Sequence, residues 1–294
     1  MSETPPISAE TAAPQPADVV EEAPIDVQRE LVDFGKFLLK FALIVLIIRS
    51  FILSSFNIPS ESMQPRLLIG DYLIVNKAAY GWTRHSLPFS WPLIPGRILP
   101  RAPERGDVVV FKHPVDNVDY IKRVIGLPGD RIQVVDGVVR INGVEIPRRR
   151  IADLVIPVTD NMVATAQDNL SHPCDDIAYE RIVGGERFCR YPRYLETLSN
   201  GVSYAVLDIS LSEKDFTGVY EVGAGRMFVM GDNRDRSYDS RFDPESGKGV
   251  GVVSQQLLVG EAAVTIFSTD GSARWYNPLS WFNATRWHRI GEGF

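Results

Sequence analysis

The chain has 294 residues, of which 45% are hydrophobic, so it is long enough to bury a core and to form one or two domains. Its formal net charge is -6, and residues 1–30 account for all of it, with seven acidic residues against Arg29. The rest of the chain sums to zero and has no basic stripe, which excludes the electrostatic footprint of a nucleic-acid-binding protein.

The acidic N-terminal segment is rich in Pro, Glu, Ala and Thr and poor in aromatic residues. Such a composition cannot bury enough apolar surface to offset the entropy lost on ordering. The sequence therefore predicts a disordered acidic tail over residues 1–32. A solvated tail and a tail that docks on another protein are both compatible with this composition.

An apolar run from Phe37 to Ser55 follows the tail, and it approaches the roughly 20 residues that a transmembrane helix needs. Lys40 and Arg49 interrupt it. These two side chains lie near opposite ends and on opposite faces of a helix, which favours a spanning helix over an amphipathic helix lying in one interface. We therefore predict one transmembrane helix over residues 33–56.

The charges that flank this helix predict its orientation. Arg29, Lys36 and Lys40 lie at its N-terminal end, which the positive-inside rule keeps in the cytoplasm. No small-x-small cleavage site follows the apolar run, which argues against a removed secretory signal. The body of the chain after Asn57 is thus expected outside the cytoplasm, with the lipid bilayer as one partner.

The body has mainly the patterns of β-structure, because short runs rich in β-branched and aromatic residues follow one another. Asp136-Gly137 and Asn142-Gly143 favour the positive φ angles of tight hairpin turns. A weak helical pattern occurs at residues 254–258. The predicted strands are Tyr72–Asn76, Asp107–Phe111, Tyr120–Ile125, Arg131–Val135, Val138–Ile141, Val144–Ile146, Met227–Met230 and Glu261–Phe267.

Residues 137–225 are turn-rich, and we predict that they form a β-rich lobe inserted into a core made of residues 57–136 and 226–294. Both cysteines, Cys174 and Cys189, fall in this lobe. They form no CxxC motif and have no histidine at zinc-ligand spacing, so no metal site is expected. Outside the cytoplasm the pair could form a disulfide, and two buried free thiols are the alternative.

Four aromatic residues lie among polar residues near the C-terminus. Because Trp prefers the headgroup level of a bilayer, they could form a membrane-facing patch, and ordinary core packing is the alternative. The four are Trp275, Trp281, Phe282 and Trp287.

Three segments carry candidate chemistry because they contain, in chain order, a serine beside the apolar run, a lysine and a second hydroxyl. None of the four histidines has supporting context, and the Gly-x-Ser-x-Gly motif of α/β-hydrolases is absent. A lysine is then the candidate base. The segments are Ile58–Met63 with Ser62, Tyr120–Asp130 with Lys122, and Gly231–Arg241 with Ser237.

Lys122 has the setting that a lysine base requires. Its free pKa of about 10.4 must fall by some 2–3 units, which burial in an apolar site can supply. Aromatic and β-branched residues surround it on the predicted strand Tyr120–Ile125. Because side chains alternate along a strand, Arg123 must point to the opposite face.

In this order after an apolar segment, the three segments resemble the type I signal peptidase family, the bacterial leader peptidases of peptidase family S26, which use a Ser/Lys dyad. The resemblance covers roughly Leu31–Val134 and Arg226–Phe267. It implies a mainly β fold: a signal-peptidase/LexA-like antiparallel β-sheet catalytic core with an inserted β lobe and one N-terminal transmembrane helix.

The resemblance also implies roles for individual residues. Ser62 matches the nucleophile, Lys122 the general base, and Ser237 the hydroxyl that orients the lysine. The Ser60 side chain and the Ser62 backbone N–H match the oxyanion hole. The residues that match the small substrate pockets are Phe56, Ile58, Met63 and Ile121. Those that match a structural charge network are Arg123, Asp232, Asp239 and Arg241.

The function that this resemblance implies is a membrane-bound serine endopeptidase that removes N-terminal signal peptides after Ala-x-Ala, with no metal or other cofactor. Its partners would be secretory preproteins, the lipid bilayer and the secretion translocon. It would lie in the bacterial inner membrane as a single-pass protein, with its N-terminus in the cytoplasm and its catalytic body on the periplasmic side.

Two positions depart from the family pattern, since Glu61 stands where glycine is common and Arg66 where threonine is usual. Neither removes a catalytic group, but both bear on the entrance to the pockets. Better-known members also carry two membrane segments. Three alternatives stay open: a LexA-like self-cleaving regulator, a specialised conjugation or pilin peptidase, and an inactive membrane-tethered binding protein.

Overall fold

The computed structural model describes residues 27–87 and 90–294. Two compact units meet in the chain between Val45 and Leu46. Most of the predicted disordered tail, residues 1–26, lies outside the described residues. Residues 27–32 are helical, so the tail that was predicted to reach residue 32 ends earlier.

Helix α1 covers Val27–Phe51. The prediction of a helix over residues 33–56 is wrong in its C-terminal bound, because Leu53–Asn57 forms strand β1 and pairs with the strand that follows. In the described part of the chain, no helix is long and apolar enough to cross a membrane. The prediction of a spanning helix is therefore not confirmed.

The central sheet is antiparallel and has seven strands, in the order β1-β2-β17-β5-β6-β15-β16. Its inner strands are rich in Val and Ile, which suit a pleated sheet buried on both faces. Its bounds are β1 (Leu53–Asn57), β2 (Asp71–Asn76), β5 (Val108–Lys112), β6 (Asp119–Gly126), β15 (Arg226–Met230), β16 (Val253–Ser254) and β17 (Leu258–Ser268).

Three smaller antiparallel sheets complete the β-structure. One has two strands, β3 (Trp82–Thr83) and β4 (Arg97–Ile98). A second runs β14-β7-β8-β9, with β7 (Arg131–Val135), β8 (Val138–Ile141), β9 (Val144–Glu145) and β14 (Tyr220–Glu221). The third runs β10-β12-β11 with β13 also on β12, and its bounds are β10 (Arg148–Pro157), β11 (Glu180–Val183), β12 (Glu186–Thr197) and β13 (Ser203–Leu207).

Each of the eight predicted strands is present, with bounds shifted by at most a few residues, and the mainly β antiparallel class is confirmed. Asp136 and Asn142 have φ angles of 52° and 54°, as the tight turns of the β7-β8-β9 sheet require. The helical pattern at residues 254–258 is only a 3₁₀ turn, Gln255–Leu257, before β17.

Two short helices were not predicted. Helix α2 covers Asp160–Asp168, and Thr159 caps it by accepting a hydrogen bond from the Met162 N–H. Helix α3 covers Pro278–Ala284, with Asn277 as its cap. Both were missed because a short helix beside a larger body presents too few turns for its periodicity to be recognised. A cap residue preceding each one was the available signal.

The core lies against both faces of the central sheet. One cluster packs Met63, Leu67 and Leu73 against Val110 and Ala262, beneath the segment that contains Ser62. A second joins β6, β7, β8 and β13, so the predicted inserted lobe shares its core with the central sheet. Residues 46–294 accordingly form one compact unit, and the predicted lobe boundary at residue 137 falls inside the β7-β8 turn.

The four C-terminal aromatic residues are not part of the core. Trp275 is 86% exposed, and the other three are also exposed. The alternative of ordinary core packing for them is therefore wrong. The segment that carries them is held by Asp71, whose buried carboxylate accepts hydrogen bonds from Arg286 and Arg289.

Candidate active site

The predicted nucleophile lies in a turn that is fixed on both sides. On the N-terminal side, the Ile58 N–H donates to Asp71 O at 2.8 Å and the Ile58 side chain is buried. On the C-terminal side, Met63 is fully buried in the core, and the Ser62 carbonyl accepts from the Asn233 N–H at 3.1 Å. Ser62 itself is 6% exposed.

Lys122 reaches this turn from the middle of β6. Its Nζ lies 2.7 Å from Ser62 Oγ and 3.0 Å from Ile121 O. The Tyr120 ring lies beside it, with the ring centroid 5.5 Å from Nζ. The lysine and the serine predicted to act together are therefore in hydrogen-bond contact. Because Lys122 is only 3% exposed, this contact is largely shielded from water.

The surroundings of Lys122 favour its neutral form. Burial, the largest influence, lowers the pKa of Lys122 from 10.5 to about 8. The carboxylates of Asp239 and Asp232 act against this shift, and the guanidinium of Arg241 adds to it. At neutral pH a fraction of Lys122 therefore carries no proton and has a free lone pair that faces a hydroxyl.

Ser237 lies beside the same turn, next to Gly231. A Cβ at Gly231 would come within 2.3 Å of Ser237 Oγ and 2.5 Å of Ser62 O, so only glycine lets the two segments approach this closely. Ser237 is buried, but its hydroxyl has no hydrogen-bond partner among the described residues. The predicted hydrogen bond from Ser237 to Lys122 is thus not formed in this structure.

The four residues of the predicted charge network are all buried and form two ion pairs. Arg123 binds Asp232 through two hydrogen bonds, of 2.8 and 2.6 Å. Arg241 also forms a bidentate pair with Asp239, and the Asp239 carboxylate accepts a further hydrogen bond from the Gly231 N–H. Burial works against ionisation of Asp239, but Arg241 and these hydrogen bonds hold its pKa below the ordinary value.

A third buried ion pair was missed by the sequence analysis. Arg234 binds Glu196 on β12 through both guanidinium NH₂ groups, and the Tyr204 hydroxyl donates to the same carboxylate. The partners are 38 residues apart in sequence: Glu196 lies on β12, and Arg234 lies in the loop after β15. The sequence shows a glutamate in a strand, but it does not show that this glutamate is buried, so it gave no signal for the ion pair.

The dyad opens onto a groove of about 950 Å³. Phe56, Ile58 and Ile121 line it as predicted, and Ser60 Oγ lies 3.4 Å from Ser62 Oγ. Met63 was also predicted to line the substrate pockets. It is instead fully buried in the core, because the turn at Ser62 directs the next side chain inward.

The groove also has charged lining residues. Glu61 and Arg236 are two of them, and both interact electrostatically with Asp175. Asp175 follows Cys174, which forms a disulfide with Cys189 on β12. Of the two alternatives that the sequence left open for these cysteines, the disulfide is therefore the one that the structure has. The other departure from the family pattern, Arg66, stacks its guanidinium over the Phe294 ring at 5.1 Å.

Among the described residues, no group of three or more His, Cys, Asp or Glu side chains is arranged to hold a metal ion. The described side chains that meet at the groove include a serine hydroxyl, a lysine amine with a lowered pKa and a second hydroxyl 3.4 Å from the first.

Comparison with known proteins gives related sequences over most of the chain. The family model described as signal peptidase, peptidase S26, matches residues 31–267. The signal peptidase I of Rickettsia typhi is 36% identical over 236 residues, which cover 77% of this chain and 76% of the relative. That of Rickettsia felis is 36% identical over 267 residues, covering 84% and 87%. A crystal structure of a signal peptidase I from Enterococcus faecalis V583 has 25% identity and a TM-score of 0.27, and covers 55% of this chain and 97% of that chain.

Proposed function

Because the chain belongs to the signal peptidase family of S26 peptidases, which are serine endopeptidases, we propose that it removes N-terminal signal peptides from secretory preproteins by cutting after Ala-x-Ala. The observation that carries the proposal is the 2.7 Å contact between Lys122 Nζ and Ser62 Oγ at the wall of a groove. That contact supports Ser62 as the nucleophile and neutral Lys122 as its base.

The first step is attack on the scissile carbonyl. The Ser62 hydroxyl donates its proton to the lone pair of neutral Lys122 Nζ as its oxygen bonds to the carbonyl carbon. This transfer needs no rearrangement, because the two atoms are already at hydrogen-bond distance. The lowered pKa of Lys122 supplies the neutral amine near physiological pH.

The second step is breakdown of the tetrahedral intermediate. We propose that the Ser60 hydroxyl and the Ser62 backbone N–H donate to the oxyanion, a role supported by the 3.4 Å spacing of Ser60 Oγ from the attacking oxygen. Protonated Lys122 then gives its proton to the leaving amine. Neutral Lys122 next takes a proton from a water molecule as the water oxygen attacks the acyl-enzyme carbonyl. It returns that proton to the Ser62 oxygen as the ester bond breaks, which regenerates Ser62.

The neighbouring residues support this chemistry without taking part in bond changes. The Ser237 hydroxyl is buried, has no hydrogen-bond partner among the described residues and lines the same groove as Lys122, which supports a role as the group that orients the lysine. The Arg123–Asp232 pair joins β6 to the Gly231 segment. The Asp239–Arg241 pair holds that segment together, because Asp239 accepts from the Gly231 N–H and Arg241 donates to Arg234 O.

The apolar side chains of the groove support a preference for small residues before the cut. We propose that Phe56, Ile58 and Ile121, which line the groove with the dyad, form the pockets that accept alanine-sized side chains. This fits cleavage after Ala-x-Ala, with the two alanines facing the groove and the middle residue facing away, as side chains alternate in an extended peptide.

We further propose that the protein works at the outer face of the bacterial inner membrane, close to the secretion translocon. The large apolar side chains of α1 are exposed along the helix, among them Phe37, Leu39, Phe41 and Ile44. Exposed apolar side chains of this density favour contact with lipid. Protease added outside sealed membranes should then digest the body of the chain, and protection of the body would contradict this location.

The family match and the assembled dyad weigh against the alternatives that the sequence left open. An inactive binding protein does not need a Ser/Lys contact at the wall of a large groove. A LexA-like regulator would use the same dyad, but the S26 match over residues 31–267 weighs against it. A specialised conjugation or pilin peptidase would differ from the proposed signal peptidase only in its substrate, so a cleavage assay must distinguish these two functions.

The test is incubation of the purified full chain, in detergent, with a secretory precursor that carries an Ala-x-Ala site. We expect a single cut after the second alanine, mapped by mass spectrometry, and no cut when both alanines are replaced by bulky residues. Cleavage elsewhere, or none at any enzyme concentration, would contradict the proposed function.

A further inference from the structure

Residues 242–249, between β15 and β16, form a loop in which most residues are exposed. Phe242 at its start and Gly247 near its end line the groove that contains the dyad, as do Tyr238 and Tyr120. The Phe242 ring packs edge to face against the Tyr238 ring, with the ring centroids 5.3 Å apart. Part of the surface that faces a bound precursor is therefore supplied by a loop that belongs to none of the sheets.

Two hydrogen bonds tie the exposed part of the 242–249 loop to the hairpin loop between β5 and β6, and both end on Asp116. Asp116 Oδ2 accepts from the Gly247 N–H at 2.8 Å and from the Ser246 hydroxyl at 3.1 Å. Among the described residues, the other hydrogen bonds of residues 243–248 join members of the 242–249 loop to one another. One carboxylate thus anchors the exposed part of the loop.

Asp116 is itself fixed by the hairpin loop that contains it. Its Oδ1 accepts from the Val118 N–H at 3.2 Å and lies 3.1 Å from His113 Nδ1. The His113 ring is fully buried, its Nε2 lies 3.1 Å from Gly249 O, and its centroid lies 4.7 Å from that of the Tyr120 ring. The hairpin loop therefore holds the 242–249 loop at two points, through a carboxylate in its exposed part and a buried ring at its end.

Building on the proposed function, we propose that Asp116 is a positioning residue: its hydrogen bonds fix the 242–249 loop in the conformation that lines the groove, and so determine how tightly a precursor binds. Asp116 acts through Gly247, whose N–H it holds and which lines the groove. Without the carboxylate, the loop must be ordered each time a precursor binds. The apparent affinity then falls with the fraction of molecules in which the loop is already in place. The contact between Lys122 and Ser62 involves neither loop and is kept.

Three variants of the full chain test this inference in detergent with an Ala-x-Ala precursor. Asp116→Ala removes both hydrogen bonds, and we expect KM to rise about fivefold or more with kcat within about twofold of wild type, the pattern of lost uniform binding. Asp116→Asn keeps an oxygen that can accept from the Gly247 N–H, so its KM should stay within about twofold of wild type. Asp270→Ala is the matched control and should equal wild type, because Asp270 likewise accepts from a backbone N–H and a serine hydroxyl, both of Ser272, in the loop after β17.

Limited digestion with trypsin reports the loop directly, because Lys248 lies in it. Cleavage after Lys248 should be faster in Asp116→Ala than in the other chains, whereas the melting temperature should change little, since the Asp116 side chain is 22% exposed. An unchanged KM or an unchanged trypsin rate in Asp116→Ala, or an equal rise of KM in Asp116→Asn, would overturn the inference while the proposed function stands. If the wild-type chain does not cut the precursor at all, both fall together.

Discussion

Lys122 and Lys77 are buried to a similar degree, with 3% and 7% exposure, but they have different neighbours. Burial lowers the pKa of each to about 8. Lys122 Nζ faces the Ser62 hydroxyl at the wall of a groove, whereas Lys77 Nζ donates to the backbone carbonyl of Ser86 at 2.8 Å. A lowered pKa is thus a property of burial, and chemistry further requires a hydroxyl partner and access for a substrate.

The largest effect should come from removing either member of the dyad. We expect Ser62→Ala and Lys122→Met each to reduce kcat by about 10³-fold or more, since a nucleophile and its base act as one unit. Lys77→Met is the matched control, because it removes a similarly buried amine that donates to a backbone carbonyl, and it should retain activity. Comparable losses in Lys77→Met and Lys122→Met would erase the distinction between the two sites.

The next effect concerns the hydroxyl groups near each lysine. Ser60→Ala should lower kcat by about 10²–10³-fold with KM nearly unchanged, the cost of losing one oxyanion donor. Ser86→Ala removes a fully buried hydroxyl near Lys77 and should leave kcat at the wild-type value. Steady-state kinetics on one precursor gives both numbers, and equal kcat values for the two variants would argue against the oxyanion role of Ser60.

A smaller effect is expected from pH. Only neutral Lys122 can accept the Ser62 proton, so kcat/KM should fall about tenfold per pH unit well below pH 8. Lys77 also titrates near pH 8, but the acid side of the profile should be the same in Lys77→Met. An acid side that shifts or disappears in Lys77→Met would mean that the kinetic pKa belongs to the wrong lysine.

The smallest effect is on stability, and here the two lysines should behave alike. A Lys pKa that is lower in the folded state than in the unfolded state means that the buried charge destabilises the fold below pH 8, and that this cost is relieved as pH rises toward 10. At pH 7 the free energy of unfolding of each Lys→Met variant should therefore exceed that of wild type by about 1–2 kcal/mol, after the lost hydrogen bond is subtracted. The melting temperature of each variant should accordingly be at least as high as that of wild type. Their advantage should vanish by pH 10. A melting temperature that falls in only one variant would show that the two buried lysines do not affect the stability of the fold in the same way.

Much of this arrangement was predictable because it depends on local sequence. Runs rich in β-branched and aromatic residues indicate β5, β6 and β17, and the turn dipeptides before β8 and β9 fix the hairpins. The Ser62 and Lys122 segments were recognisable as motifs. Their contact follows because β6 and the turn after β1 are positioned by one sheet.

The unpredicted contacts around the site depend on residues that are distant in sequence. Glu196 reaches Arg234, and Asp175 reaches Arg236, only because β12 and the turn after Cys174 fold back over the active site. No local pattern encodes such contacts. Met63 was misplaced for the related reason that its inward direction is set by the turn at Ser62 and not by its own residue type.

The central claim is that the pKa of Lys122 is low enough for a fraction of its amine to be neutral near physiological pH, and that this neutral amine activates Ser62. The most direct test is an NMR titration of the lysine side chains of the detergent-solubilised protein, labelled at Cε, with the Lys122 signal assigned from its absence in Lys122→Met and the Lys77 signal from Lys77→Met. The account predicts a midpoint near pH 8 for Lys122 that changes when Ser62 is replaced by Ala, while the Lys77 midpoint does not change. A Lys122 midpoint near the free value of about 10.4 would contradict the account.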